Sequence, residues 1–100
     1  MEIPDRHEKG WGYELWIANS PLYCGKKFIL HKGKRCSVHY HKLKDETFYI
    51  QSGSVQLDLY EQGYPGEPTR HILKPGESVH ITPLIPHQFL GLEESEIFEF

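Results

Sequence analysis

The chain has 100 residues, which is enough for one hydrophobic core but few for two domains. A formal net charge of −3 argues against general nucleic-acid binding, and no stretch approaches the run of about 18 apolar residues that a membrane span needs. The amino terminus is charged where a signal peptide would be apolar. We therefore expect a cytoplasmic protein with a single domain over residues 1–100.

Nine short segments rich in aromatic and β-branched residues predict strands, and no helical period persists anywhere. In chain order they are residues 13–18, 23–31, 36–40, 47–51, 55–60, 70–73, 78–82, 87–92 and 97–100. Gly, Pro and Ser separate them, and this regular spacing is typical of a sandwich or a small barrel. The predicted fold class is therefore all-β.

Two glycine-centred turns separate predicted strands, and Ser52-Gly53-Ser54 predicts a tight hairpin. Lys32-Gly33-Lys34 follows the second predicted strand, and Ser52-Gly53-Ser54 follows the fourth. If the strands beside the first turn pair, Cys36 lies opposite about position 30, and Cys24 lies several residues away. We therefore expect no disulfide between the two cysteines.

The sequence predicts different structures for the two ends of the chain. We assign His7 to an amino-terminal tail, whereas Ile97-Phe98-Glu99-Phe100 has the pattern of a strand that is still in progress. Either the carboxyl terminus docks in the barrel or the chain is a fragment. The composition leaves both alternatives open.

Four side chains predict a metal site, and two of them come from one strand. The four residues are His39, His41, Glu46 and His87. Side chains alternate along a strand, so His39 and His41 share one face, with Tyr40 on the other, and can bind one ion. Three imidazoles and one carboxylate suit Mn, Fe, Co, Ni or Zn. We predict one divalent transition-metal ion per chain.

The other two predicted ligands come from separate elements. Glu46 begins a strand in which Phe48 and Ile50 share its face, and a bound cation would remove the cost of burying its charge among apolar neighbours. His87 follows Pro86 much later in the chain. Only the fold can bring His87 to the other three residues.

The spacing of these residues carries a family resemblance. Gly33-x5-His39-x-His41-x4-Glu46-x6-Gly53 matches the first signature of the cupin superfamily, and Gly76-x6-Pro83-x2-Pro86-His87 is a looser version of the second. The chain thus resembles cupins over essentially its whole length. The resemblance implies a jelly-roll barrel, the double-stranded β-helix, with the metal in its mouth. Thr82, Leu84 and Gly91 depart from the second signature but leave His87 in place.

A narrower resemblance points to sugars. Lys9-Gly10-Trp11-Gly12-Tyr13-Glu14 is similar to the segment that opens the cupin domain of type II mannose-6-phosphate isomerases, and Ile85-Pro86-His87-Gln88-Phe89 is similar to sugar-active cupins. This resemblance implies a carbohydrate or sugar phosphate as ligand and a sugar isomerase as the best single reaction. Sugar-active cupins usually continue through a Ser-Thr pair, whereas this chain stops at Phe100.

An aldose–ketose isomerase also needs a base that moves a proton between carbons. The candidate acid–base residues are His80, Tyr60, Glu96, Tyr49 and Lys27. Strand alternation places His80 opposite Val79 and Ile81, so it is either a surface residue or a pocket residue. His80 is our candidate catalytic residue.

Lysines, arginine and tryptophans each allow two interpretations. The basic residues that precede Glu46 in the middle of the chain are Lys26, Lys27, Lys32, Lys34, Arg35, Lys42 and Lys44. They indicate either a solvated hairpin edge or attraction of a phosphorylated substrate. Trp11 and Trp16 either anchor the amino-terminal strand or stack on a sugar ring.

Two further functions remain open at this point. A cupin dioxygenase would hold Fe(II) and activate O₂, and a binding module would hold a ligand at the metal without turnover. For partners we expect a small-molecule ligand and a homodimer, because the exposed strand edges of a barrel must be covered. The segment from Tyr13 to Ile17 is the expected interface element.

Overall fold

The computed structural model describes residues 1–100. It contains nine antiparallel strands. They are β1 (Asp5–Lys9), β2 (Gly12–Asn19), β3 (Cys24–Leu30), β4 (Glu46–Ser52), β5 (Val55–Leu59), β6 (Thr69–Leu73), β7 (Ser78–Ile81), β8 (His87–Gly91) and β9 (Ser95–Glu99). Six of them form one sheet in the order β1-β2-β3-β9-β4-β7, and three form a second sheet in the order β6-β5-β8. This arrangement confirms the all-β jelly-roll prediction. No helix in the structure has the length and apolarity that crossing a membrane requires.

The two sheets enclose one apolar core. Its buried members are Leu30, Cys36, Phe48, Ile50, Val55, Leu57, Leu73, Ile81, Phe89 and Ile97. Strand alternation produces it, as β4 shows: Phe48 and Ile50 are buried, whereas Tyr49 and Gln51 between and after them are exposed. The predicted inward face of this strand is therefore confirmed, and Glu46 lies on it at 2% exposure.

The segments on either side of Lys32-Gly33-Lys34 do not pair with each other. β3 already pairs with β2 on one edge and with β9 on the other, so no edge of β3 is free to receive residues 36–40. Residues 35–39 instead contact β8: Arg35 bridges to Leu90, His39 bridges to His87, and the Cys36 amide donates to the Phe89 carbonyl at 3.0 Å. Both cysteines are free thiols, as expected.

The hairpin predicted at Ser52-Gly53-Ser54 is wrong. β4 pairs with β7 and β9, whereas β5 pairs with β6 and β8, so the turn carries the chain from one sheet to the other. A local turn signal predicts a change of direction but not which strands pair afterwards.

The amino-terminal segment is a strand rather than a tail. β1 pairs with β2 from Asp5 opposite Trp16 to Lys9 opposite Gly12. Its sequence is wholly polar and shows no alternation of apolar residues, which explains why the strand was not predicted. The ring of His7 stacks on the Trp16 indole with centroids 3.8 Å apart.

Candidate metal centre and its cavity

Backbone pairing brings His39 and His87 together. The two residues exchange both of their backbone hydrogen bonds, at 3.2 and 2.9 Å, and their imidazole centroids lie 4.6 Å apart. His41 follows two residues after His39, its ring centroid lies 5.7 Å from that of His39, and its carbonyl accepts a bond from the Leu84 amide. The three histidines therefore converge from two segments at one end of the barrel.

Backbone carbonyls select the tautomers of two of these imidazoles. Nδ1 of His39 lies 3.0 Å from the Ser37 carbonyl oxygen, and Nδ1 of His87 lies 3.0 Å from that of Ile85. A carbonyl oxygen can only accept, so each Nδ1 carries the hydrogen and each Nε2 keeps its lone pair. The Nε2 atom of His87 is buried and has no hydrogen-bond partner.

The Glu46 carboxylate completes the group. Its Oε1 atom lies 3.1 Å from Nε2 of His41 and 3.9 Å from Nε2 of His87, while its Oε2 atom is buried without a partner. Burial and then the negative charge of Glu99 raise the pKa of Glu46 to about 7. Burial lowers the pKa of His87, and burial followed by the neighbouring His39 lowers that of His41. These shifts favour neutral imidazoles, the form that binds metals.

The donors fit a divalent transition-metal ion in their chemistry. In the structure no group of three or more His, Cys, Asp or Glu side chains is arranged to hold a metal ion, and Oε1 of Glu46 lies close to Nε2 of His41. However, a lone pair on His87 and an oxygen on Glu46 are both buried with no partner, and burying such atoms unpaired is unfavourable. A cation that accepts both would remove this cost.

A cavity of about 310 Å³ opens beside these donors. It is lined by Lys9, Trp11, Glu14, Lys26, Phe28, Cys36, Ser37, His39, His41, Phe48, Phe89 and Glu99. A second cavity, of about 480 Å³, shares His39 with the first and adds the aromatic rings of Tyr40 and Tyr64. The histidine cluster therefore faces solvent-accessible space that a small molecule can enter.

Comparison with protein families decides the family of this chain. Residues 26–100 match the family model described as the cupin domain. The chain belongs to the cupin family. The family resemblance carried by the two sequence signatures is thereby confirmed. A comparison with curated proteins finds no match.

Solved cupin structures share the fold at low sequence identity. KdgF from Halomonas sp. superposes with a TM-score of 0.77 at 21% identity, over 95% of this cupin and 83% of KdgF. A variant of oxalate decarboxylase from Bacillus subtilis gives 0.81 at 19% identity, over 96% of this cupin and 26% of the decarboxylase chain. The CENP-C cupin domain of Drosophila melanogaster gives 0.81 at 9% identity, over 97% and 74%. These similarities establish the jelly-roll fold alone.

The structure does not bring His80 to the cavity of this cupin. The His80 side chain is 55% exposed on the outer face of β7, and its Nε2 atom lies 3.3 Å from Oδ1 of Asp45. The other acid–base candidates also lie outside the cavity lining. Glu96 is in an ion pair with Lys27, and Tyr60 packs edge-on against Tyr64.

Two carboxylates that do line the cavity were not among the sequence candidates, namely Glu14 and Glu99. Glu99 is 5% exposed and accepts a hydrogen bond from Nζ of Lys44 at 2.8 Å. Glu14 accepts one from Nε1 of Trp16, also at 2.8 Å. Alternation places Glu99 on the buried face of β9 with Ile97, a signal that could have identified it.

The two tryptophans lie in different surroundings. Trp11 lines the cavity and packs edge-to-face against Phe28 with centroids 5.8 Å apart. Trp16 lies outside the cavity lining, between His7 and the ammonium of Lys26. Trp11 is therefore the tryptophan whose ring a cavity ligand would meet.

Proposed function

We propose that this cupin binds one divalent transition-metal ion through His39, His41, Glu46 and His87. We further propose that it acts on a carbohydrate or sugar phosphate held at that ion, and that the reaction is aldose–ketose isomerisation. The observation that carries the proposal is the pair of buried, unpartnered atoms, Nε2 of His87 and Oε2 of Glu46, among three converging imidazoles.

The character of the cavity supports an oxygen-rich ligand. Its volume of about 310 Å³ lies at the small end of the range that small-molecule pockets occupy. Lysines, glutamates and a serine alternate on its wall with the rings of Trp11 and Phe28. Such a wall offers hydrogen bonds to hydroxyl groups and an aromatic face for the apolar side of a sugar ring.

Isomerisation needs only a proton shuttle and polarisation of two neighbouring oxygens. A bound metal ion would supply the polarisation. One proton leaves C2 of the aldose and reaches C1, while another passes from the C2 oxygen to the C1 oxygen, so atoms and electrons balance without a further reagent. Glu99 is the residue best placed to hold the carbon-bound proton, since it is a buried carboxylate in the cavity wall beside Glu46.

One observation favours a second function, a binding module without turnover. None of the five acid–base residues predicted from the sequence lines the cavity, and Glu99 is already paired with Lys44. The same donor set also suits Fe(II), the ion of a cupin dioxygenase. The tests below therefore distinguish an isomerase, a dioxygenase and a binding module without turnover.

Metal content is the first test. Protein purified without a metal-binding tag should contain about one Mn, Fe, Co, Ni or Zn per chain by elemental analysis, and a His39→Ala/His41→Ala double variant should contain none. His80→Ala is the matched control, because it removes an imidazole outside the cavity and should leave the metal content unchanged. No metal in the wild type, and none taken up on addition, would refute the site.

The reaction is tested on the metal-loaded protein. Incorporation of solvent deuterium into a sugar phosphate, abolished by Glu99→Gln and retained by His80→Ala, would support the isomerase. Oxygen uptake with Fe(II) alone would support the dioxygenase. Stabilisation by a sugar phosphate without product or deuterium exchange would support the binding module. Loss of exchange in His80→Ala with normal metal content would return the catalytic role to His80.

We also propose a homodimer and a cytoplasmic location for this cupin. Its two free thiols suit a reducing compartment. β1 and β3 pair with both edges of β2, so the expected interface segment from Tyr13 to Ile17 can meet a second subunit only through its outer face, where Ile17 is exposed.

A further inference from the structure

Lys26 is a lysine in the cavity wall without an acidic partner. No carboxylate oxygen lies within 4.0 Å of its ammonium group. Glu14 accepts the hydrogen bond from Trp16, and Glu99 accepts that from Lys44. The indole of Trp16 is neutral, so Glu14 has no cationic partner, whereas the carboxylate of Glu99 is paired with Lys44. Lys26 therefore remains an ammonium in the cavity wall without a carboxylate beside it.

The position of Lys26 is set by the sheet. It lies on the inner face of β3, opposite Trp16 on one neighbouring strand and Glu99 on the other. Its Nζ atom lies 4.8 Å from the centroid of the Trp16 ring, which supports the extended side chain by a cation–π contact. In this position the ammonium has no ion pair with Glu99, although the two residues are cross-strand neighbours.

Lys26 lines the same cavity as two of the proposed metal donors, His39 and His41. A metal ion at those donors would bring further positive charge to the wall that carries the ammonium of Lys26, and a ligand with an anionic group would be attracted by both.

We propose that the ligand of this cavity carries an anionic group, a phosphate or a carboxylate, and that Lys26 binds that group. The inference rests on the proposed function, since it specifies the ligand of the same site. Lys9 is the other lysine in the cavity wall, and it too has no carboxylate within 4.0 Å. It supplies a second positive charge from β1.

The test compares adjacent lysines. Lys26→Gln removes the cavity charge, and Lys27→Gln is its control, because Lys27 is the next residue, points to the opposite face and pairs with Glu96. Lys26→Arg keeps the charge. Binding of inorganic phosphate, glucose 6-phosphate, glucuronate and glucose is measured by titration calorimetry on each protein, with metal content and melting temperature recorded for every sample.

We expect the wild type to bind at least one of the two anionic sugars about tenfold more tightly than glucose, the size of one charged hydrogen bond. This preference disappears in Lys26→Gln, persists in Lys27→Gln and Lys26→Arg, and weakens as salt is added. Comparison of glucose 6-phosphate with glucuronate distinguishes phosphate from carboxylate. Equal affinities of Lys26→Gln and the wild type for the anionic sugars, or no preference over glucose in the wild type, overturn the proposal.

The His39→Ala/His41→Ala variant separates this inference from the proposed function. If the wild type lacks metal, the proposed function fails, yet a phosphate affinity that depends on Lys26 still supports the anion site. If phosphate binding is lost in the double variant but unchanged in Lys26→Gln, the anion binds to the metal alone and the role of Lys26 is refuted.

Discussion

Glu46 is a carboxyl group that becomes buried on folding. In the metal-free protein its pKa of about 7 exceeds the unfolded value of about 4.3, because burial and the charge of Glu99 disfavour ionisation. The protonated form is thus favoured by folding. Its contribution to the free energy of unfolding is complete below about pH 4 and is lost as the pH rises through about 7.

Glu46→Gln should therefore stabilise the metal-free protein in alkaline solution. With metal removed by a chelator, we expect its free energy of unfolding to exceed that of the wild type by about 2 kcal/mol at about pH 8, with a smaller gain at about pH 5. Urea denaturation at both pH values measures this. Glu61→Gln, at an exposed loop position, is the control and should show no such pH dependence. A destabilised Glu46→Gln protein at high pH would contradict the prediction.

The two cysteines should differ in reactivity. Burial, and then the charge of Glu14, raises the pKa of the Cys36 thiol to about 12, and the residue lies in the core at 9% exposure. Cys24 is only half-buried and lines a cavity beside Lys44, which donates a hydrogen bond to its sulfur at 3.1 Å. We expect iodoacetamide to modify Cys24 in the native protein and to leave Cys36 unmodified, as mass spectrometry of peptides can determine. In urea both should react, and modification of Cys36 first would show the prediction to be wrong.

Among the strands, the alternation of apolar and polar residues predicts the inward face best where only one face of the strand is buried. β4 places Glu46, Phe48 and Ile50 on one face, and the sequence pattern alone predicts this. β1 has no such pattern because its partner, β2, holds it through backbone pairing. The strand predicted over residues 36–40 is absent for another reason. This segment contacts β8, about fifty residues away in the chain, and the local sequence does not encode that choice of partner.

Two of the signature glycines should tolerate substitution unequally. Gly33 and Gly53 both have positive φ, of 79° and 86°. A Cβ atom at Gly53 would lie 2.2 Å from Oγ of Ser95 and 2.4 Å from the carbonyl oxygen of Glu94, whereas one at Gly33 would meet nothing within 4 Å. We expect Gly33→Ala to lower the free energy of unfolding by about 1 kcal/mol and Gly53→Ala by about 2–4 kcal/mol. Equal losses in urea denaturation would mean that backbone strain, and not crowding, decides both.

For the whole molecule, a bound ion should be a main source of stability. At 100 residues the core is small, and the metal donors join β4 and β8 to residues 39–41 across the barrel. Saturating metal at about a thousandfold excess over Kd contributes about 4 kcal/mol, so we expect the melting temperature to rise by at least about 10 °C. The His39→Ala/His41→Ala variant should show no rise. An equal rise in that variant would indicate binding elsewhere.

Association of two copies is predicted on the six-stranded sheet. Ile17 of β2 is 54% exposed on this sheet, and Ile72 of β6, on the other sheet, is 49% exposed. If the dimer forms through the segment around Ile17, Ile17→Glu should shift sedimentation at micromolar concentration toward monomer, because it places a charge in an apolar contact. Ile72→Glu is the matched control and should sediment as the wild type. A monomeric wild type would end the dimer proposal.

The sequence by itself determined the all-β class, the cupin family and the faces on which His39, His41 and Glu46 lie. Each of these depends on composition, short spacing or the two-residue period of a strand, which are local properties. Only the tertiary structure decided that residues 36–40 pair with β8, that β1 is a strand and that His80 points away from the cavity. It also decided that Glu99 and Lys26 line one cavity with His39 and His41. Those outcomes depend on which strand edges remain free once the barrel closes, and no local pattern encodes the competition between distant strands.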